Sequence, residues 1–160
     1  MIRIALDLDD TIFEFFNPYK ERFPGDKNMI ESKINKNVFS LRKNKQFWEN
    51  LPLLEVPDFE PCIYATKRIN SKKYTKNCLR KYGLPIKPIY QIYSQGRNKV
   101  DIIKGHCDVL IDDSVFNCYQ AMKVGFPAIL ITRPHNIHSN YPYRIDKLSL
   151  EDIIKVYKSI

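Results

Sequence analysis

Asp7, Asp9 and Asp10 crowd three carboxylates into four consecutive positions, directly after the short, mainly apolar run Ile2-Arg3-Ile4-Ala5-Leu6. Such crowding costs Coulomb energy unless a cation or a proton relieves it. Two kinds of chemistry need this layout. One is binding a hard divalent ion through oxygen ligands. The other uses one carboxylate as a nucleophile and a neighbour as general acid/base. Taken alone, the pentapeptide Asp7-Leu8-Asp9-Asp10-Thr11 also fits an acidic strand-to-loop turn with no chemistry, so its meaning depends on what else reaches it.

The elements that would position these residues are legible as apolar runs. Segments 2–7, 62–66, 89–93, 109–112 and 128–132 read as parallel strands, apolar along their length as strands covered on both faces are. Helical patterns lie between them. One covers 73–82 and stops at Gly83; a second covers 114–124, with Ser114 as cap and Gly125 as stop. Ser149-Leu150-Glu151-Asp152 reads as a capping box opening a last amphipathic helix to about residue 157. The alternation predicts an α/β fold: a doubly wound, Rossmann-like parallel sheet of about five strands.

One connection is too long for that pattern. Roughly 50 residues separate the first two strands, far more than a usual βα loop. The spacing predicts a small helical cap over 14–60, inserted after strand one into a core of 1–13 and 61–160. Asn17-Pro18 reads as a helix start, and Ser40 as the cap of a helix over 41–51. Lysines and aromatics fill the insertion, which would lie over the carboxyl edge of the sheet as a lid.

In a doubly wound sheet, ligands bind outside the carboxyl ends of the strands. Strand one ends in Asp7, strand two in Thr66 followed by Lys67-Arg68, and strand four in Asp112-Asp113. Lys99 follows strand three near the start of a short helix. Asp7 and Asp112 could share Mg²⁺, which uses few protein ligands and keeps several waters. Thr66 and the backbone after it could donate to phosphate oxygens, and Lys99 would supply a point charge. Lys104 and Lys67 are the other lysines placed to fill that role. Together these are the parts phosphoryl transfer needs.

The motifs resemble the haloacid dehalogenase (HAD) superfamily of aspartate-dependent phosphohydrolases. Asp7-Leu8-Asp9-Asp10-Thr11, Thr66, Lys99 and Asp112-Asp113 match its four motifs in order. The resemblance implies that Asp7 is the nucleophile and Asp9 the general acid/base. It implies phosphate contacts from Thr66, Lys67 and Lys99. It also implies Mg²⁺ on Asp7, the backbone carbonyl of Asp9 and Asp112, with Asp113 as outer partner or alternative ligand. Within the superfamily, Phe47-Trp48, Leu51-Pro52 and Arg133-Pro134-His135-Asn136 are similar to segments of the 5'(3')-deoxyribonucleotidase-like group. That likeness implies hydrolysis of nucleoside monophosphates, with Phe13, Phe16 and Trp48 as candidates to stack on a base.

Composition bounds the alternatives. The chain has 160 residues, a net charge of +8 and four separated cysteines with no CxxC pair. With no signal peptide apparent, reduced thiols in a cytoplasm are expected. No apolar stretch is long enough to span a bilayer. The basic balance favours an anionic partner: a small phosphate ester such as a nucleotide, or nucleic acid. A response-regulator receiver domain would carry its Thr late, whereas Thr66 comes early. A polynucleotide 3'-phosphatase or another small-ester phosphatase stays open, as does a non-catalytic nucleotide- or nucleic-acid-binding protein on the same scaffold. His135 and His138 lack the partners of a zinc set.

Overall fold

In a computed structural model, which describes residues 2–26, 36–92 and 98–160, six strands form one parallel sheet. They are β1 (Ile4–Leu6), β2 (Ile63–Thr66), β3 (Ile89–Gln91), β4 (Val109–Asp112), β5 (Ala128–Ile131) and β6 (Arg144–Ile145). The helices are α1 (Phe16–Arg22), α2 (Lys36–Ser40), α3 (Lys45–Glu49), α4 (Lys72–Lys81), α5 (Lys99–Ile103), α6 (Val115–Lys123) and α7 (Leu150–Tyr157). The strand order is β3-β2-β1-β4-β5-β6, so β1 is central and the order reverses there. The α/β sheet expected from the runs is present. The sixth strand was not expected: it is two residues long, starts with Arg144, and holds on through bonds such as Thr132 N–H to Ile145 O at 2.8 Å. Tyr93, at the end of the third expected strand, lies outside the described residues.

Alternation along the strands builds two cores. Ile4, Leu6, Tyr64, Ile111, Ile129 and Ile131 face one side, where they meet Leu79 of α4 and Ile153 of α7. Ala5, Ile63, Ala65, Leu110 and Leu130 face the other, against Val100 and Ile103 of α5 and Cys118 and Ala121 of α6. The two alanines are small, so α5 can lie close over β1 and β2. Helix ends follow the sequence signals in part. Ser71 and Ser114 cap α4 and α6, and Gly83 and Gly125 take φ of 67° and 71°, where a side chain would be strained. The expected Ser149 box is not formed. Its hydroxyl makes no capping bond, and Asp58 Oδ1 accepts the Leu150 N–H at 2.7 Å instead.

The insertion also departs from expectation locally. Helix α1 begins at Phe16 rather than at Asn17-Pro18, because the Asp10 carboxylate accepts the Phe15 and Phe16 N–H groups at 2.9 and 3.1 Å. The helix expected over 41–51 is split. A 3₁₀ turn spans Leu41–Lys43, then Asn44 caps α3 by accepting the Phe47 N–H at 3.0 Å. The two ends of the insertion are clasped: Glu14 N–H donates to Pro52 O, and Leu54 N–H to Ile12 O, both at 2.8 Å. Tyr19, Leu41, Trp48 and Leu51 join the same apolar cluster as Leu6 and Ile111. No helix among the described residues is long and apolar enough to cross a membrane.

Trp48 is the largest of these anchors. Its ring stacks on Phe15 at 5.7 Å, and its Nε1–H donates to Leu41 O at 2.8 Å. Replacing Trp48 with Ala therefore removes a buried ring and orphans a carbonyl. The expected cost is about 3–5 kcal/mol of unfolding free energy, read from urea denaturation with the slope checked for two-state behaviour.

Candidate active site

The carboxyl edge of the central strands is the only place where the register brings distant acids side by side among the described residues. Leu6 pairs with Ile111, and the Asp7 N–H donates to Ile111 O at 3.0 Å, so Asp7 and Asp112 are neighbours on adjacent strands. Both side chains are buried, on the face covered by α5 and α6. From the first turn of α5, Lys99 Nζ reaches both, hydrogen-bonding Asp7 Oδ1 and lying 2.7 Å from Asp112 Oδ2. Asp113 joins them: Asp7, Asp112 and Asp113 each offer an oxygen within 4.8 Å of the others.

The remaining oxygens are also held. Thr11 Oγ1 donates towards Asp7 Oδ2 at 3.2 Å and lies 3.3 Å from Asp113 Oδ1. Asp112 accepts the Ser114 N–H at 2.9 Å and Asn117 Nδ2 at 3.1 Å. His135 Nε2 is 2.8 Å from Asp113 Oδ2, and Asn136 Nδ2 donates to the Asp113 carbonyl at 2.8 Å. His135 thus has an acidic partner that its sequence spacing did not show. Thr11 stands in the first motif and His135-Asn136 in the late segment quoted for the resemblance, without a role having been read for them, whereas Asn117 belongs to no motif. For Asn117, the i to i+3 spacing from Ser114, just behind Asp113, is the signal the sequence offers.

Electrostatics explain why this cluster needs cations. Burial pushes the Asp7 carboxyl well above its usual range, Lys99 pulls it down, and Asp112, Asp113 and Asp9 push it up again. Asp113 is raised by burial, against the bond from His135. For Lys99, burial alone would lower the ammonium, but Asp112 and Asp7 outweigh it and hold the amine protonated. Three carboxylates against one ammonium leave an excess of negative charge in a buried place. Hard oxygen donors with that excess fit a divalent cation such as Mg²⁺.

Asp9 is held on the other side of the sheet's edge. Arg68 Nη2 and Nε bond its Oδ1 at 2.7 and 2.9 Å, so Asp9 faces the insertion rather than the Lys99 cluster. Asp10 takes φ of 57°, a left-handed conformation that Asp tolerates better than most residues. Burial and the charge of Asp113 push its carboxyl up to about 7, against the two N–H bonds it accepts. Arg133 closes the turn by donating to Asp10 O at 3.1 Å and Thr11 O at 2.7 Å, while pairing with Glu55.

Other expected residues are placed as follows. Thr66 ends β2, and its hydroxyl accepts the Arg68 N–H at 3.2 Å. Lys67 Nζ lies 5.5 Å over the exposed Phe116 ring at the start of α6. Lys99 is in the cluster, whereas Lys104 is exposed. Phe13 and Trp48 do not fit their expected place as base-stacking residues. They are 0% and 1% exposed, because their rings are used in packing against Tyr82, Phe15 and Arg68. Phe16 is half-buried beside Lys20.

The chain is similar in structure to YfnB from Bacillus subtilis, described as a HAD-hydrolase and solved bound to magnesium. The TM-score is 0.57 at 14% identity, over 98% of this chain and 99% of that one. The two chains share a fold. No family model matches the chain, and no curated protein matches it.

Two outcomes test this electrostatic description. Lys99→Met leaves Asp7 and Asp112 buried without their ammonium and costs about 3–5 kcal/mol at neutral pH. A carboxyl whose folded pKa is raised binds more protons when folded, so the cost shrinks as pH falls. Urea melts of both proteins at pH 5 and pH 8 read this directly. Separately, Mg²⁺ raises the wild-type melting temperature in a saturable way, and Asp112→Asn abolishes the rise.

Proposed function

We propose that the protein is a Mg²⁺-dependent phosphomonoesterase that works through an aspartyl-phosphate on Asp7, with nucleoside monophosphates as its substrates. The observation that carries this reading is the Lys99 ammonium held between Asp7 and Asp112, with Asp113 beside them at the end of adjacent parallel strands. That set combines an oriented carboxylate, a fixed positive charge and oxygen ligands for a hard cation, which phosphoryl transfer requires. The likeness to YfnB, itself solved with magnesium, supports it further.

The reaction divides into two displacements. An Asp7 oxygen attacks phosphorus while the bond from phosphorus to the ester oxygen breaks, and Asp9 gives that oxygen a proton. Water then attacks the same phosphorus, Asp9 takes a proton from it, and the bond to Asp7 breaks. Lys99 keeps Asp7 oriented and offsets charge on the phosphoryl oxygens. Thr66, Lys67 and the backbone after Thr66 would donate hydrogen bonds to the phosphate oxygens. Asp7, the Asp9 carbonyl and Asp112, with Asp113 close by, would hold Mg²⁺, which supplies Lewis-acid stabilisation of the phosphoryl oxygens.

The nucleotide assignment rests on the net charge of +8, on the half-buried Phe16 and on the resemblance of the motifs. With Phe13 and Trp48 committed to packing, Phe16 is the aromatic left from the original three to meet a base. Asp7→Asn keeps size and removes the nucleophile; kcat/KM is expected to fall by roughly three orders of magnitude or more. Phosphate release with Mg²⁺ from deoxynucleoside monophosphates, sugar phosphates and 3'-phosphorylated oligonucleotides tests both levels. A preference for sugar phosphates overturns the nucleotide assignment, and wild-type turnover by Asp7→Asn overturns the mechanism.

A further inference from the structure

Arg68 is a buried cation to which the reaction above gives no task. Its side chain is fully enclosed, and burying a guanidinium is costly unless every donor is used. Its backbone N–H goes to Thr66 Oγ1 at 3.2 Å. Its Nη1 donates to Thr75 Oγ1 on α4 at 3.3 Å. The plane rests near two rings of the insertion and its stalk, Phe13 at 5.4 Å and Trp48 at 5.3 Å. Everything that holds this group therefore fixes its direction.

What it points at is Asp9. Oδ1 accepts two bonds, from Nη2 at 2.7 Å and Nε at 2.9 Å, whereas Oδ2 shares only the Nε–H, at 3.0 Å. The fork thus fills one carboxyl oxygen and sets the plane of the group. The other oxygen keeps its remaining lone pair for a proton.

We infer that Arg68 is a positioning residue for Asp9, holding Oδ1 so that Oδ2 exchanges the proton with the leaving oxygen and then with water. The inference rests on the aspartyl-phosphate reading. In the first displacement the proton moves from Oδ2 to the ester oxygen as its bond to phosphorus breaks. In the second it returns from water to Oδ2 as the new bond to phosphorus forms. Because Phe13 and Trp48 hold the guanidinium, the packing of the insertion is transmitted to the acid/base group without touching substrate.

The test uses the leaving-group dependence of kcat/KM, which reports the first displacement. Phosphate esters run from p-nitrophenyl phosphate, whose leaving oxygen needs no proton, to a nucleoside 5'-monophosphate, whose leaving oxygen does. Arg68→Lys keeps the charge and loses the fork. Its loss is expected to grow along the series, from under about threefold on p-nitrophenyl phosphate to roughly a hundredfold on the nucleotide. Thr75→Val, which removes one anchor and disturbs the fold less, shows the same trend at smaller size and decides the matter if Arg68→Lys does not fold. In an Asp9→Ala background, Arg68→Lys adds no further slope. A uniform loss on every ester, or a wild-type slope, overturns the positioning role. A wild-type protein that releases phosphate from none of these esters overturns the phosphatase reading, and this inference falls with it.

Discussion

A single buried ammonium decides whether the central strands can end as they do. Asp7 and Asp112 lie side by side because β1 and β4 pair in register, and both are buried. Without Lys99 the pairing of two apolar strands would force two like charges together in a low dielectric. With it, the same pairing builds a polarised site whose geometry is set by the sheet. Ala5 and Ala65 are part of this arrangement, since larger side chains there would hold α5, and the lysine it carries, away from the acids.

A second cation plays the matching part on the opposite face. Lys99 comes from α5 and serves Asp7, while Arg68 follows β2 and serves Asp9. Two aspartates only two positions apart are thus held by different layers of the fold. The turn between them makes this possible. Asp10 enters the left-handed region, caps α1 with its carboxylate and is held by Arg133 through its carbonyl. One residue thus reverses the chain, starts the insertion and is tied to the strand β5 side of the molecule.

The sheet, its strand ends and the acidic cluster were legible because their signals are local: continuous apolar runs, serine caps, glycine stops and carboxylates at fixed places after strands. What was hidden depends on contacts distant in sequence. Asp58 replaces Ser149 at the start of α7, and Asp10 starts α1 ahead of Asn17-Pro18, because carboxylates from elsewhere reach those N–H groups first. Strand β6 is too short to show a period. Phe13 and Trp48 were candidates to stack on a base, yet an insertion of small helices needs large rings to build a core with the sheet, and these rings are used for that. Arg68 stands two residues after Thr66 in plain view, but its partner lies about sixty residues away.

The central place of β1 has a consequence for how the chain reaches this state. Ile4 pairs with Val109, so the middle strand of the sheet meets one of its two neighbours only after about a hundred further residues exist. At a synthesis rate of about 5–20 residues per second, this is a wait of roughly 5–20 seconds. Throughout it, Ile4, Leu6 and the strand's open hydrogen-bonding edge are without their final cover. The insertion that follows β1 is the nearest apolar material in the chain, and its ends clasp each other locally. It is complete in the chain well before β4 is, so its apolar rings, which join the same cluster as Leu6 in the finished fold, are available to β1 sooner than that last neighbour.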